Sequence, residues 1–242
     1  MYGRKEVMKV KKDVMILTGA GQIGMAIARR MGYGKKIVIG DKKPENAQKI
    51  AEIMNNTGFD AEAVEMDLSS QESIRNLIAR AMECGVGVTI SSQSGHRMPA
   101  LRPEEDELLA CTPAEELLQL DILQPENIRD TLHAYQMAKR CNEKRVMAEA
   151  VKWGKRNARI NSISPGIIVT PLAVDELNGP RGDFYKNMFA NCPAGRPGTA
   201  DEVANAAELL MSDKGAFITG ADFLIDGGAT ASYFYGPLKP EK

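Results

Sequence analysis

Val14-Met15-Ile16-Leu17-Thr18-Gly19-Ala20-Gly21-Gln22-Ile23-Gly24 is the stretch of sequence that decides the fold of this chain. The apolar run Val14–Ala20 has the length and composition of a buried strand, and it leads into a glycine-rich turn. The segment Gln22–Met31 then has the spacing of an amphipathic helix, with Ile23, Ala26 and Ile27 on its inner face. The stretch therefore predicts a β-α unit that is joined by a glycine turn.

The three glycines of this turn have the spacing G-x-G-x-x-G, and each has a physical role. Gly19 permits the tight turn, Gly21 lets the backbone approach a pyrophosphate, and Gly24 allows the helix to pack closely on the strand. The free N–H groups at Gln22 and Ile23 and the helix dipole would supply the anion site. The pattern predicts dinucleotide binding, and the alternative is a glycine-rich turn without a ligand.

Asp41 is the residue that bears on the choice of dinucleotide. It ends the second predicted strand, 22 residues after Gly19. A carboxylate at this place can accept hydrogen bonds from both hydroxyls of an adenosine ribose, and it would repel a 2′-phosphate. We therefore expect NAD rather than NADP as the cofactor, unless Lys42 or Lys43 swings toward a phosphate.

Strands and helices alternate along most of the chain, which predicts parallel βαβ units. We expect an α/β fold with a doubly wound parallel sheet of the Rossmann type, in a single domain over residues 1–242. The predicted strands are Val14–Ala20, Lys36–Asp41, Ala61–Asp67, Val86–Ser92, Arg159–Ile163 and Phe223–Asp226, and the predicted helices are Gln22–Met31, Glu45–Met54, Ser70–Met82, Thr131–Arg156 and Ala200–Met211, the last capped by Thr199 or Asp201.

Residues 99–130 interrupt this alternation with an acidic, leucine-containing insertion. The pattern predicts two short amphipathic helices that begin near Pro103 and Pro113. One interpretation is a solvated surface insertion. The other is a helical lid over a ligand site, because long insertions in compact domains are often functional.

Composition excludes several classes of partner. The net charge is −1 and no long basic run occurs, so we expect neither nucleic acid nor a membrane surface as a partner. The four cysteines contain no C-x-x-C pair, which indicates reduced thiols and a cytoplasmic protein. Two histidines are too few for a histidine-based metal site, so we expect no metal.

Tyr135 and Lys139 place a phenol and an ammonium four residues apart, on one face of a predicted helix. The ammonium would stabilise the phenolate and allow the tyrosine to exchange protons nearer neutral pH. Taken alone the pair is also compatible with a solvated helix face. The apolar side of the same helix is predicted to hold Leu132, Met137, Val146, Met147 and Val151.

With the glycine turn in the first half and Tyr135 and Lys139 in the second, the chain resembles the short-chain dehydrogenase/reductase family. Further matches follow in the family's order over nearly the whole chain. They are Asp67 after the third strand, Ser92 in Ser91-Ser92-Gln93-Ser94-Gly95, Pro165-Gly166 with Thr170, Gly195-Arg196, and the segment from Ile218-Thr219-Gly220 to Asp226-Gly227-Gly228.

The resemblance implies an oxidoreductase that transfers a hydride between NAD(P) and a small secondary alcohol or ketone. Tyr135 would be the general acid/base and Ser92 would hydrogen-bond the substrate oxygen. Lys139 would assist the tyrosine and, with it, hold the nicotinamide ribose. Asp67 would hold the adenine, while Pro165, Gly166 and Thr170 would hold the nicotinamide carboxamide. We also expect a homo-oligomer, either a dimer or a tetramer.

Five further residues lie near this predicted site in the sequence. Met188, Phe184 and Tyr185 would form part of a substrate wall, or are ordinary packing residues. His96 and His133 are near Ser92 and Tyr135 in sequence and could reach the pocket. The alternative for both histidines is a place at the polar edge of the protein.

The chain departs from the family between Asp67 and Ser92. Those 24 residues hold one predicted helix and one strand, and they lack the family's Asn-Asn-Ala-Gly strand and the helix after it. If the Ser92 strand fills the empty place, the sheet order is 3-2-1-4-5-6 and Ser92 moves by about 4.8 Å, one strand spacing. The alternatives to an active enzyme are a dinucleotide-binding protein with little turnover and an incomplete form of a longer dehydrogenase.

Overall fold

The computed structural model describes residues 13–19, 21–67, 70, 72, 86–180 and 182–240. The chain forms two compact units, Met1–Cys84 and Gly85–Lys242. The predicted helix Ser70–Met82 falls outside the described residues except for Ser70 and Glu72. The single domain over residues 1–242 stays a prediction.

The first unit contains a three-stranded parallel sheet in the order β1-β2-β3. The central strand β2 is fully covered, with Ile37, Val38 and Ile39 almost inaccessible to solvent. Parallel neighbours need a crossover connection, and the helices α1 and α2 provide it. The elements are β1 Val14–Thr18, α1 Gln22–Met31, β2 Lys36–Asp41, α2 Pro44–Asn56 and β3 Asp60–Glu65.

The second unit contains a parallel sheet in the order β4-β5-β6. Ser162 pairs with Thr89 on one side and with Asp222 on the other, so β5 is the central strand. The elements are β4 Val86–Ile90, α3 Gln93–His96, α4 Pro103–Cys111, α5 Thr131–Gly154, β5 Arg159–Pro165, α6 Pro171–Asn178, α7 Gly182–Asn191, α8 Ala200–Met211, β6 Asp222–Ile225 and α9 Ala229–Tyr235.

The predicted α/β class with parallel strands is confirmed. The runs 3-2-1 and 4-5-6 of the predicted order are present, each within one unit, and the pairing of strand 1 with strand 4 stays a prediction. Thr199 caps α8 as predicted: its hydroxyl accepts from the Glu202 N–H at 3.2 Å, and the Glu202 carboxylate accepts from the Thr199 N–H at 2.9 Å. This reciprocal pair is a capping box.

The predicted apolar side of α5 is wrong in part. Leu132, Met147 and Val151 are each more than half exposed, whereas Met137 and Val146 are buried. The physical reason is that α5 is covered on two sides. Met137 and Cys141 pack with insertion residues such as Leu109, and Val146 and Ala150 pack with Ile160 of β5 and with Trp153. The prediction assumed one apolar side, and it therefore fails for a helix that buries two faces.

The insertion has one of its two predicted helices. Helix α4 begins at Pro103, but the second helix is replaced by three single 3₁₀ turns, Leu117–Gln119, Asp121–Leu123 and Pro125–Asn127. Proline is the cause at two points. A residue before proline disfavours the helical region, and both Thr112 and Gln124 are extended, with ψ of 134° and 148°.

The insertion is anchored to α5 by charge and by apolar packing. Asp106 accepts two hydrogen bonds from Arg140, at 3.0 and 2.8 Å, and is 2.9 Å from the ammonium of Lys144. Arg145 donates to the Thr112 carbonyl at 2.6 Å, and Leu109 is completely buried. Residues 99–130 are therefore a packed part of the second unit, and their role as a lid stays a prediction.

We predict that Leu109→Ala lowers the free energy of unfolding by about 2–5 kcal/mol, because it leaves a cavity between α4 and α5. The matched control is Leu118→Ala, since Leu118 is 78% exposed, and its effect should lie within about 0.5 kcal/mol. Urea denaturation followed by circular dichroism measures both values. Equal effects of the two substitutions would contradict the packing of the insertion against α5.

Candidate active site

The glycine turn of the first unit has the backbone geometry that an anion site requires. Gly19 has a φ of +85°, which strongly favours glycine, and its N–H donates to the Gly40 carbonyl at 2.7 Å. A Cβ on Gly24 would lie 2.8 Å from Cδ1 of Leu17, so α1 packs closely on β1. Among the residues that the structure describes, no side chain caps α1 at Gly21, and a Cβ on Gly21 would meet no atom within 4 Å. The described neighbours of the α1 start, which includes Gln22 and Ile23, thus leave room for a phosphate.

Asp41 ends β2 and Asp67 comes two residues after β3, the neighbouring strand of the same unit. Oδ1 of Asp41 accepts from the Lys43 N–H at 2.8 Å, which holds the carboxylate at the end of β2. The ammonium of Lys42 is 3.0 Å from Oδ2 of Asp67. One of the two lysines that could favour a phosphate therefore forms an ion pair with a different carboxylate.

In the second unit, Ser92 lies at the start of α3, where its hydroxyl oxygen accepts from the Ser94 N–H at 3.2 Å. The adjacent Ser91 donates to the main-chain carbonyl of Lys139 at 2.9 Å, so the residues after β4 are bound directly to α5. Tyr135 is 47% exposed, and the Lys139 ammonium lies 5.4 Å from the centre of its ring. The predicted proximity of this tyrosine and lysine is present.

The Pro165-Gly166 turn and Thr170 follow β5. The N–H of Gly166 donates to the Ile225 carbonyl at 2.9 Å, and a Cβ on Gly166 would lie 2.8 Å from the Cα of Asp226. Only glycine allows this approach of the two chain segments. The hydroxyl oxygen of Thr170 accepts from the Ala173 N–H at 3.2 Å and caps α6, while its proton remains available to a ligand.

A cavity of about 170 Å³ lies within the second unit, next to this turn. Gln93, which follows the predicted catalytic serine, is part of its wall. Of the three residues predicted to form a substrate wall, Met188 lines the cavity, whereas Phe184 is mostly exposed. Other lining residues are Gly166, Ile168, Phe189, Asp226 and Ala229.

A buried polar network lies beside the same elements, and its centre is Asp222. One carboxylate oxygen accepts from Ser162 at 2.5 Å and from Ser164 at 2.9 Å, and the other is 2.7 Å from Nε2 of His96. Glu143 of α5 accepts from Ser91 and from Ser164, both at 3.4 Å, and it lies 3.7 Å from His96. Four elements, α3, α5, β5 and β6, thus meet at one set of hydrogen bonds.

The charges in this network follow from burial and pairing. The hydrogen bond to Asp222 raises the pKa of His96, although burial opposes it. Burial alone would raise the pKa of Asp222, but the hydrogen bonds from His96, Ser162 and Ser164 together lower it. Burial raises the pKa of Glu143. Pairing with Asp222 therefore favours the charged form of His96, whereas burial disfavours the charged form of Glu143.

The two histidines have different surroundings. The ring of His133 accepts the Arg129 N–H at 3.2 Å at the start of α5, which agrees with an edge position. His96 belongs instead to the buried network. Ligand atoms of His96, Glu143 and Asp222 lie within 4.8 Å of one another, but within the described part of the chain they already form hydrogen bonds or ion pairs. The prediction that the protein holds no metal is not tested by this arrangement.

Among the described residues, no helix combines the length and the apolar character that crossing a lipid bilayer requires.

Outside the second unit, a shallow polar depression lies between α2 and β3, with Gln48, Glu52 and Asn55 on its wall. It contains none of the predicted site residues. The chemistry implied by the sequence is therefore concentrated at the glycine turn and around Ser92, Tyr135 and the cavity.

Comparison with known proteins agrees with this geometry. Residues 13–96 match the family model described as short chain dehydrogenase, and residues 107–230 match the model described as enoyl-(acyl carrier protein) reductase. A short-chain dehydrogenase/reductase of Alternaria brassicicola is 30% identical over 267 residues, covering 92% of this chain and 97% of the relative. The 2,5-dichloro-2,5-cyclohexadiene-1,4-diol dehydrogenase of Sphingobium indicum is 31% identical, with 90% and 95% covered.

A solved structure shares the fold. The 7α-hydroxysteroid dehydrogenase complexed with NADH and 7-oxo-glycochenodeoxycholic acid has a TM-score of 0.67 and 23% sequence identity, with 89% of this chain and 93% of the other covered. The matches to the family models and to the relatives extend over both units. The chain belongs to the short-chain dehydrogenase/reductase family of NAD(P)-dependent oxidoreductases.

Proposed function

We propose that this protein interconverts a secondary alcohol and a ketone with NAD as the cofactor. The observation that carries the proposal is the Lys139 ammonium 5.4 Å from the ring of Tyr135, on a half-exposed helix face that a substrate can reach. The uncapped start of α1 and the open space at Gly21 fit a pyrophosphate. When bound, the nicotinamide ring supplies or accepts the hydride.

The residues of the chain would move and stabilise the proton and the developing charge. Tyr135 donates a proton to the carbonyl oxygen in reduction and removes it from the alcohol in oxidation. The positive charge of Lys139 stabilises the phenolate that this exchange creates. The Ser92 hydroxyl, whose oxygen accepts from the Ser94 N–H, has its proton available for the substrate oxygen as negative charge develops there.

The choice of NAD over NADP depends on Asp41 in this proposal. The Lys43 N–H orients its carboxylate at the end of β2, and Lys42 is 3.0 Å from Asp67. Two negative groups about 4 Å apart repel by about 1–4 kcal/mol at and near a protein surface. A 2′-phosphate beside Asp41 would meet this repulsion, and the ion pair of Lys42 with Asp67 would have to break to relieve it.

A second candidate is a dinucleotide-binding protein with little or no turnover, or an incomplete form of a longer dehydrogenase. Its support is the lack of the Asn-Asn-Ala-Gly segment between Asp67 and Ser92. The alignment with the Alternaria relative spans 267 positions, more than the 242 residues of this chain, so the relative has residues that this chain lacks. A shift of the Ser92 strand by one strand spacing would disturb catalysis, because about 1 Å of misplacement can cost 10²-fold in rate.

We also propose a homo-oligomer, a dimer or a tetramer, that acts in the cytoplasm. The exposed apolar side chains Leu132, Met147 and Val151 on α5 favour a subunit contact over a solvated helix face. Cys111, Cys141 and Cys192 are free thiols, and two of them are buried, which favours a reducing compartment.

We predict that Tyr135→Phe lowers kcat by about 10²–10⁴-fold, the range that acid–base groups supply, while the Kd for NADH stays nearly unchanged. Steady-state kinetics and NADH fluorescence titration measure the two quantities. Tyr235→Phe is the control, because Tyr235 is 92% exposed at the end of α9. Near-normal turnover of Tyr135→Phe would show that another group exchanges the proton.

We predict that NAD binds more tightly than NADP and that Asp41→Ala narrows the difference by about tenfold or more, since removal of the carboxylate removes the repulsion of the 2′-phosphate. Isothermal titration with both dinucleotides tests this, with Asp13→Ala as the control at an exposed site. Equal affinities in the unmodified protein would mean that Lys42 or Lys43 outweighs Asp41.

We predict that a preparation with robust dehydrogenase activity is longer than 242 residues, and that a chain of this length binds dinucleotide weakly. Intact-mass spectrometry and turnover, measured on one sample, decide the matter. A mass of 26.4 kDa together with ordinary dehydrogenase activity would contradict the second candidate function. Sequencing of the gene across the codons for residues 67–92 provides an independent control.

A further inference from the structure

The short helix α3 has the candidate catalytic serine at its start and His96 at its end. The N–H of Ser94 donates to the Ser92 hydroxyl oxygen at 3.2 Å, and the N–H of Gly95 donates to the Ser92 carbonyl at 3.0 Å. These bonds join the serine and the helix into a single turn, so the direction of the Ser92 hydroxyl follows the orientation of that turn. Contacts that hold α3 therefore also hold Ser92.

Ser91 fixes the chain directly before the serine. Its N–H donates to the Ile163 carbonyl of β5 at 2.7 Å, and its hydroxyl donates to the Lys139 carbonyl of α5 at 2.9 Å. Two bonds at one residue fix a point in the chain. The orientation of the helix that follows requires a second point.

His96 provides that second point at the far end of α3. Its Nε2 is 2.7 Å from Oδ2 of Asp222 on β6 and 3.7 Å from Oε1 of Glu143 on α5. The hydrogen bond to Asp222 raises the pKa of His96, and the charge of Glu143 acts in the same direction, whereas burial and the charge of Arg140 oppose it. The Asp222 side chain is only 14% exposed, so little water competes for the bond. A charge-assisted bond of this kind is about twice as strong as a neutral one.

On its other side α3 lies directly against the backbone of α5. A Cβ on Gly95 would lie 3.0 Å from the main-chain nitrogen of Arg140 and would overlap Oε1 of Glu143. A small rotation of α3 toward α5 would therefore meet backbone atoms that cannot move aside. The bond of His96 to Asp222 keeps α3 in this close position. Because Tyr135 also lies on α5, the same position sets the place of Ser92 relative to Tyr135.

We propose that His96 is a positioning residue for the reaction: its bond to Asp222 holds α3 so that the Ser92 hydroxyl points at the substrate oxygen. His96 acts through Ser92 and does not touch the substrate. Loss of the bond would let the turn rotate about Ser91, and about 1 Å of misplacement can cost 10²-fold in rate. This inference rests on the proposed function, because it assigns a role within the same site.

The kinetic test is a double-mutant cycle on the full chain, with NAD and the fastest substrate among butan-2-ol, cyclohexanol and propane-1,2-diol. We expect His96→Leu to lower kcat by about tenfold or more when Ser92 is present, and by less than about twofold in the Ser92→Ala protein. The Ser92→Ala protein itself should lose about 10²–10³-fold, the cost of one donor to a developing oxyanion. Equal losses from His96→Leu in both backgrounds would overturn the proposal, because they would indicate general damage to the second unit.

A conservative variant keeps the test valid if His96→Leu is too unstable, since removal of one partner of a buried pair can be strongly destabilising. In His96→Gln, the side-chain amide nitrogen can replace Nε2 as the donor to Asp222. We expect His96→Gln to keep most of the kcat that His96→Leu loses. A folded His96→Gln protein with the same loss as His96→Leu would contradict the proposal.

Gly95→Ala tests the other side of α3. The added methyl group would force α3 away from α5, so we expect a loss of kcat that again requires Ser92. The matched control is Leu210→Ala, because Leu210 is fully buried on α8, which carries none of the predicted site residues. This control should lower the melting temperature and leave kcat unchanged below the melting transition. A loss of kcat in Leu210→Ala as large as in Gly95→Ala would contradict the proposal.

Hydrogen exchange separates this inference from the proposed function. Mass spectrometry of the full chain measures amide exchange in residues 91–97 and 135–143 without any turnover. We expect His96→Leu to speed exchange in residues 91–97 by about tenfold or more, because local opening exposes the N–H groups of Ser94 and Gly95. Residues 135–143 should keep their exchange rates. Equally faster exchange in both segments would contradict the proposal.

The two failures then have different signatures. Faster exchange of residues 91–97 in a protein that oxidises none of the three alcohols would contradict the proposed function and support the hold of His96 on Ser92. Oxidation of an alcohol, with kcat and exchange unchanged by His96→Leu, would support the proposed function and contradict the inference. Thermal melting of each variant shows whether it is folded.

Discussion

Burial of the Asp222 carboxylate is the constraint on which the second unit depends. An ionised carboxylate can remain in a protein interior only when its oxygens are paired and hydrogen-bonded. Here one oxygen is held by two serine hydroxyls of β5 and the other by the imidazole of His96. Because His96 belongs to α3 and its neighbour Glu143 to α5, this requirement holds α3 against α5. Ser92 caps α3 and Tyr135 lies on α5, so the network that satisfies Asp222 also supports the candidate active site.

The second face of α5 is also held by buried contacts, but these are made with the insertion. Arg140 and Lys144 bind Asp106 of the insertion, and Leu109 packs beside Met137 and Cys141. Helix α5 is thus fixed on one side by the sheet and the buried network, and on the other by the insertion. A helix that carries the proposed acid–base residue Tyr135 would benefit from such support, because about 1 Å of misplacement of a reacting group can lower the rate strongly. Residues 99–130 can therefore contribute to catalysis through packing alone, whether or not they cover the pocket.

Local sequence patterns predicted the structure correctly at places where a single local interaction determines it. Helix α1 begins at Gln22 after the glycine turn and α8 begins after the Thr199 cap, as expected, because both starts depend on a few adjacent residues. Features that depend on tertiary partners were predicted poorly. The two buried faces of α5, the 3₁₀ turns of the insertion and the role of His96 all arise from distant contacts such as Asp222, 126 residues after His96. The sequence did contain an indication that a buried polar partner such as His96 is needed. Ser162, Ser164 and Asp222 are polar residues within predicted strands or beside them. Buried strands rarely hold such groups unless a hydrogen-bond partner lies nearby.

The same distinction explains why family membership and catalytic competence are separate questions for this chain. Each motif of the family depends on a short run of residues: Gly19 on its positive φ, Gly166 on its approach to Asp226, and Tyr135 on a lysine one turn away. A chain that lacked one β-α unit elsewhere would keep every such motif, so motif and family comparisons would not register the loss. The proposed hydride transfer, however, needs the dinucleotide turn of the first unit and the tyrosine of the second to act on one pair of reactants, and no local motif ensures this. Turnover measured on the full chain, rather than the presence of the motifs, therefore decides whether the proposed chemistry of both units is used.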